Sequence, residues 1–163
     1  MNKKKIAIYP GTFDPITFGH VNIVKKASEM FDEVIMAIAI DNYKETFFSL
    51  EEREKLCKES LKDIPNARAE SFDGLVVDFA DKLGTNIMIR GLRAVSDFEY
   101  ELQLALMNKK LSNKIETVFL VPSFDYLYLS SSMVRNIASV GGDVETLVPK
   151  CVADALKQKR RDN

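Results

Sequence analysis

Along the 163 residues, short apolar runs alternate five times with stretches of helical spacing. This alternation is the strongest constraint on the fold. A helix between two strands carries the chain back to its starting end, so consecutive strands run parallel, and a parallel sheet has to be covered on both faces. The apolar pattern predicts strands at 6–9, 34–40, 67–72, 87–89 and 117–121. Residues 34–40 are apolar at every position, as in a strand buried on both sides. His20, Ile23, Val24, Ala27 and Phe31 follow helical spacing, so a helix starts near Gly19. Ser49 and Glu52 have the spacing of a capping box that opens a helix through Leu61, and Ser96 and Glu99 that of a second, opening one to about Leu111. Further helices are expected at 75–83, 131–140 and 150–159. The expected architecture is a doubly wound α/β fold with a five-stranded parallel sheet, Rossmann-like, with right-handed crossovers.

Composition narrows the function. Lys and Arg number 23 and Asp and Glu 24, a balance that argues against a general nucleic-acid binder. The two cysteines, Cys57 and Cys151, and the single histidine, His20, are scattered, so neither a Cys/His zinc site nor a CxxC redox pair is expected. Separated cysteines suit reduced thiols in a cytosol. The few apolar residues before Pro10 are too short for a signal peptide, and 34–40, the longest apolar run, is far below the roughly 20 residues of a membrane span. At 46% apolar and with no linker, the chain reads as one domain over 1–163 with a helical segment from about 131.

In such sheets ligands bind beyond the carboxyl ends of the strands. After the first strand, Thr12, Asp14 and Thr17 lie in a Pro/Gly-bounded turn, and Gly19-His20 opens a helix whose free N–H groups suit an anion. His20 is either a phosphate donor or a packed helix histidine. GxGxxG and the P-loop pattern are both absent. Lys44, after the second strand, is either a cleft cation or a solvated lysine. Asp73-Gly74 reads as a turn after the third, with Leu75 and Val76 as core or pocket wall. The fourth ends in Arg90-Gly91-Leu92-Arg93, two guanidinium forks around a flexible residue, a pattern suited to phosphates. The following helix is apolar nearly all round (Phe98, Tyr100, Leu102, Leu104, Leu106, Met107) and is expected to be buried on more than one side, at a subunit contact. Glu99 and Glu101 read as first-turn dipole partners. After the fifth strand, Tyr126-Leu127-Tyr128-Leu129 runs into Ser130-Ser131-Ser132, which supplies a helix cap and further hydroxyls. Together these ends suit a ligand with several phosphates, and transfer at phosphorus needs positioning and electrostatics more than a nucleophilic side chain.

Thr17-Phe-Gly-His20 resembles the T/HxGH signature of the nucleotidylyltransferase superfamily, and Leu129-Ser-Ser-Ser132 its second, ISSS-like element, with Leu in place of Ile. With YPGTFDPITFGH, Ile89-Arg-Gly-Leu-Arg-Ala94 and Asp97-Phe-Glu-Tyr-Glu101, in order over residues 5 to about 157, the chain is similar to the bacterial phosphopantetheine adenylyltransferases. The resemblance implies a Rossmann-like nucleotidylyltransferase fold. It also implies reversible transfer of the adenylyl group of ATP to 4′-phosphopantetheine, giving dephospho-coenzyme A and pyrophosphate with Mg²⁺. This is the penultimate step of coenzyme A biosynthesis, and it proceeds by direct attack with no covalent enzyme intermediate. It implies that His20 stabilises the transition state. Thr12, Phe13, His20, Gly91, Leu92, Arg93, Glu101 and the run Tyr126, Leu127, Tyr128, Leu129, Ser130, Ser131 and Ser132 would bind ATP. Thr12, Lys44, Val76, Arg90, Leu104, Met107 and Asn108 would bind the acceptor. Tyr126 stands where relatives often carry Trp. Which side chain, if any, holds the Mg²⁺ stays open. The family is cytoplasmic and homohexameric. The rivals are a sister adenylyl- or cytidylyltransferase with another acceptor, a fragment of a class I aminoacyl-tRNA synthetase, for which the chain is short and lacks a KMSKS pattern, and a non-catalytic nucleotide-binding regulator.

Overall fold

The computed structural model describes residues 4–40 and 45–162. Within them run β1 (Ile6–Gly11), α1 (Phe18–Ser28), β2 (Glu33–Ala39), α2 (Leu50–Ser60), β3 (Ala67–Phe72), α3 (Val76–Lys82), β4 (Ile87–Gly91), α4 (Val95–Leu111), β5 (Glu116–Leu120), α5 (Ser131–Ser139) and α6 (Lys150–Asp162). The strands form one sheet in the order β3-β2-β1-β4-β5, and every pairing is parallel. The doubly wound reading holds. Among the described residues no helix is long and apolar enough to cross a membrane.

Strand alternation builds a core on each face of the sheet. Ala7, Tyr9, Val34, Met36, Ile38 and Ile89 pack with Ile23, Val24 and Ala27 of α1, Leu56 and Cys57 of α2, Val134 of α5 and Val152 and Leu156 of α6. Ile8, Ile35 and Met88 pack on the other face with Val77 and Ala80 of α3. Each large side chain buried in this way contributes about 1.5–3 kcal/mol of transfer free energy. The unbroken apolar run of β2 has its reason here: Val34 through Ile38 are all buried, alternately toward the two cores.

The sheet order reverses between β1 and β4, and there the ladder is incomplete. β1 stays paired with β2 as far as Gly11 and Ile38. With β4 it pairs only at Ala7–Ile87 and Ile8–Met88. Beyond those pairs the two strands part, leaving a crevice at the topological switch point. The strand extends past the expected 6–9 because Pro10 and Gly11 continue the β2 pairing. Pro10 is tolerated in this central strand because its carbonyl, and hence its missing N–H, faces the side that β4 has left; Arg90 Nη1 donates to that carbonyl there at 2.8 Å.

Three expectations are corrected. Ser96 does not cap α4, because it lies within the helix. The helix starts after Ala94, and Asp97 Oδ2 accepts the N–H groups of Arg93 and Ala94 at 3.3 Å each, so the first-turn carboxylate serves as cap. Glu101, further along, is not a first-turn dipole partner. Nor is α4 covered on several sides within one chain: Tyr100, Leu106 and Met107 are 61%, 62% and 54% exposed. A 3-10 turn at Phe124–Tyr126, which has no apolar periodicity to announce it, precedes α5.

Candidate active site

The carboxyl ends of β1 and β4, with the starts of α1 and α5, enclose a cleft of about 320 Å³. Thr12, Phe13, His20, Arg90, Gly91, Arg93, Glu101, Tyr126, Leu129, Ser130, Ser131 and Ser132 all line it. Leu92, Leu127 and Tyr128 sit on the same loops without lining it. The four side chains implied for the acceptor arm lie elsewhere: Val76, the first residue of α3, packs half-buried against the Ile8, Ile35 and Met88 core, Leu104 is half-buried on α4, Met107 is exposed and Asn108 Nδ2 donates to Met88 Sδ at 3.3 Å. Lys44 lies outside the described residues.

The T-x-G-H spacing has a local cause. Thr17 is the N-cap of α1 and His20 its N3 residue, the two ends of a capping box. His20 N–H donates to Thr17 Oγ1 at 3.4 Å, and Thr17 N–H donates to His20 Nδ1 at 3.0 Å. A ring nitrogen that accepts a backbone N–H carries no proton, so the proton of the neutral ring is on Nε2. Burial, then the positive charges of Arg93 and Arg90, lower the His20 pKa to about 4. The ring is therefore a neutral Nε2–H donor at physiological pH. Phe13 holds it edge-on, ring centroids 5.0 Å apart, and Tyr9 packs on Phe13 at 5.3 Å. A Cβ at Gly11 would come within 2.9 Å of the Phe13 ring, so this position has room only for glycine.

Three arginines surround the cleft, each already oriented by the protein. Arg90 Nε and Nη2 form a fork with the two oxygens of Glu101 at 2.5 and 2.8 Å, and together with the bond to Pro10 this leaves two of its five N–H groups for a ligand. Arg93 Nη1 donates to the Leu129 carbonyl at 2.6 Å, and its Nε lies 3.4 Å from Asp97 Oδ2. Arg135, one turn into α5, is not among the residues the sequence singles out. Its Nη1 donates to the Asp14 carbonyl at 2.5 Å and its Nη2 to Ser132 Oγ at 3.3 Å. Its position three residues after Ser132, on the same helical face, was the available signal.

Each serine has a task in the protein. Ser130 Oγ caps α5 by accepting Met133 N–H at 3.1 Å, Ser131 Oγ donates to the Pro15 carbonyl at 2.7 Å, and Ser132 Oγ accepts from Arg135. No acidic residue sits in the first turn of α1 or α5, so both helix starts present uncompensated positive ends. The Asp14 carboxylate, which accepts Phe47 N–H at 2.7 Å and Phe48 N–H at 2.8 Å, lies 3.9 Å from Arg135 Nη1 and offsets part of that charge. Burial raises the phenol pKa of Tyr9 against the opposing charge of Arg90, so the hydroxyl keeps its proton. Among the described residues the cleft holds donors and an excess of arginine charge over the Asp14 and Glu101 carboxylates, and no nucleophile–base pair.

Residues 8–137 match the cytidylyltransferase-like protein family. Phosphopantetheine adenylyltransferase of Moorella thermoacetica is 52% identical over 155 residues, which cover 95% of this chain and 97% of that protein. The enzyme of the same name from Dictyoglomus thermophilum is 53% identical over 153 residues, 94% of this chain and 93% of its own. The structure of the Plasmodium falciparum nicotinic acid mononucleotide adenylyltransferase, solved with NaAD, superposes with a TM-score of 0.73 at 16% identity, covering 96% of each chain. At that identity the likeness is one of fold.

Proposed function

The chain belongs to the phosphopantetheine adenylyltransferases of the cytidylyltransferase-like family, and we infer that its cleft moves the adenylyl group of ATP onto 4′-phosphopantetheine, giving dephospho-coenzyme A and pyrophosphate in coenzyme A biosynthesis. The observation that carries this reading to the site is the neutral His20 Nε2–H donor set among three arginines at the switch point. A phosphate oxygen of the acceptor attacks the α-phosphorus in line as the bond to the β-phosphate breaks, and pyrophosphate leaves with that electron pair. The nucleophile is already an anion, so no side chain has to take a proton. Charge shifting among the α-phosphate oxygens calls for fixed donors, worth more in the transition state than in the ground state.

In this reading Thr12, Phe13 and His20 attend the α-phosphate. Arg93, Arg135 and the start of α5 favour the pyrophosphate, and Gly91 and the Tyr126–Leu129 segment the nucleoside. Arg90 takes the acceptor phosphate with its two spare N–H groups, and Lys44 joins it. Val76, Leu104, Met107 and Asn108 would then border the pantetheine arm as it leaves the cleft. Glu101 aims Arg90 instead of meeting ATP. Magnesium comes as part of the nucleotide substrate: Asp14 and Glu101 have both oxygens engaged, and among the described residues no group of three His, Cys, Asp or Glu is placed to hold a metal. Residues 1–163 act as one nucleotidylyltransferase domain in the cytoplasm, assembled as a homohexamer. The exposed apolar face of α4 supports assembly, and a monomer by sedimentation would overturn it.

Pyrophosphate release over a panel of acceptors tests the function. Turnover is expected with ATP and 4′-phosphopantetheine, and not with nicotinamide mononucleotide or glycerol phosphate. Comparable rates with either of those would move the chain to a sister activity.

A further inference from the structure

Arg53 is a charged side chain in the core, 3% exposed, on the second turn of α2. No ion pair reaches it among the described residues, and its Nε has no hydrogen-bond partner. Burying a guanidinium without a carboxylate is costly, so its contacts call for an explanation. Nη1 donates to the Thr12 carbonyl at 2.8 Å and to the Ala39 carbonyl at 3.0 Å. One group therefore ties the turn after β1 to the end of β2. Arg53 does not line the cleft; it stands behind the turn whose other side does.

These contacts fix the geometry of one peptide. In a trans peptide the C=O and the next N–H point in opposite directions. The Thr12 carbonyl points back to Arg53, so the Phe13 N–H points forward. It has no hydrogen-bond partner among the described residues, and Phe13 borders the cleft. Phe13 also has φ of 51°, in the left-handed region that residues with a side chain seldom occupy, so something must hold it there. Turned the other way, this peptide would put a carbonyl oxygen into a cleft built for phosphates.

We propose that Arg53 is a positioning residue for adenylyl transfer: it draws the Thr12 carbonyl out of the cleft and so fixes the Phe13 N–H as a main-chain donor to the nucleotide phosphates. The proposal rests on the function proposed above. Asp14, whose carboxylate takes the N–H groups of Phe47 and Phe48, braces the same turn from its other end. Arg53 thus acts on the reaction without touching substrate.

The test compares wild type with Arg53→Met and Arg53→Lys. It measures kcat, both KM values, Tm and the Phe13 resonance of [¹⁵N]Phe-labelled protein titrated with ATP. Arg53→Met is expected to lower kcat per folded molecule roughly ten- to a hundredfold, with acceptor KM within about threefold. The Phe13 amide shifts on adding ATP to wild type and stays in place in Arg53→Met. Arg53→Lys keeps the charge, but its ammonium ends one bond short of the position of Nη1, which holds both carbonyls, so it is expected to fold and lose at least about fivefold in kcat. Should Arg53→Met not fold, Arg53→Lys decides. A folded variant with kcat within about twofold of wild type overturns the proposal, as does a wild-type Phe13 amide unmoved at saturating ATP. A wild-type protein that releases no pyrophosphate from ATP and 4′-phosphopantetheine refutes the function instead, and the Phe13 shift still reads the part of Arg53.

Discussion

Replacing His20 separates its two ring nitrogens. Nδ1 belongs to the helix cap, accepting Thr17 N–H at 3.0 Å, and Nε2–H is left for the reaction. His20→Ala removes both. His20→Asn places its amide oxygen near the Nδ1 position, so the cap survives while the donor is lost. Losing one preorganised donor to a transferring group typically costs about 2.7–4 kcal/mol of transition-state stabilisation, or about 10²–10³ in kcat. Both variants should therefore lose kcat by about that factor. Their stabilities should differ. A lost cap acceptor costs about 1 kcal/mol, and both variants lose the edge-on contact with Phe13, worth about 0.5–1.5 kcal/mol. His20→Ala should thus melt roughly 2–4 °C below His20→Asn in a chain of this size. Single-turnover pyrophosphate release and thermal melts on the same preparations measure the two effects, with ATP titration calorimetry to confirm that the nucleotide still binds. An Asn variant that turns over within about threefold of wild type would refute the donor role, because the cap alone would then explain why the histidine is there.

The lowered pKa of His20 has a stability consequence. The unfolded chain takes up the proton near the ordinary value of 6.5 and the folded one only near 4, so between those values the unfolded state binds more protons and stability falls as pH falls. The loss should total on the order of 2–3 kcal/mol across that window, and the urea midpoint of wild type should drop more steeply than that of His20→Asn from about pH 6.5 to about 4.5. Equal slopes would contradict it. Glu101→Gln should raise the acceptor KM about tenfold with a smaller change in ATP KM, because the fork that aims Arg90 loses its charge; steady-state kinetics in both substrates read the split. At Gly19 a Cβ would meet nothing in the protein closer than Thr17 Oγ1 at 3.4 Å, although the residue lines the cleft. Gly19→Ala should therefore keep or gain up to about 1 kcal/mol of stability while weakening ATP binding about tenfold, as melts and calorimetry would show; unweakened binding would mean that no ligand approaches this backbone.

Local chemistry is legible in the sequence alone. Two-sided burial of Val34 through Ile38 comes from an unbroken apolar run, the start of α2 from Ser49 and Glu52, and the parallel sheet from the alternation of strands and helices. The placing of Gly19 and His20 at a strand–turn–helix junction is legible for the same reason, since a cap and a turn involve residues three or four apart. Ser96 misleads because its spacing to Glu99 fits a cap as well as the pair formed by Ala94 and Asp97, and spacing alone does not choose between them. Contacts between residues far apart along the chain are out of its reach. Thr12 and Arg53 are 41 residues apart, Pro10 and Arg90 80, and Asp14 and Arg135 121. Those contacts exist because β4 returns beside β1 and then leaves it after Ile8 and Met88, and because α5 folds back over the turn. Periodicity and caps report which surface an element buries, but not which element meets it there. Glu101 reads as a helix charge until the fold brings Arg90 against it, and nothing in the spacing of Arg53 announces that the fold closes over it.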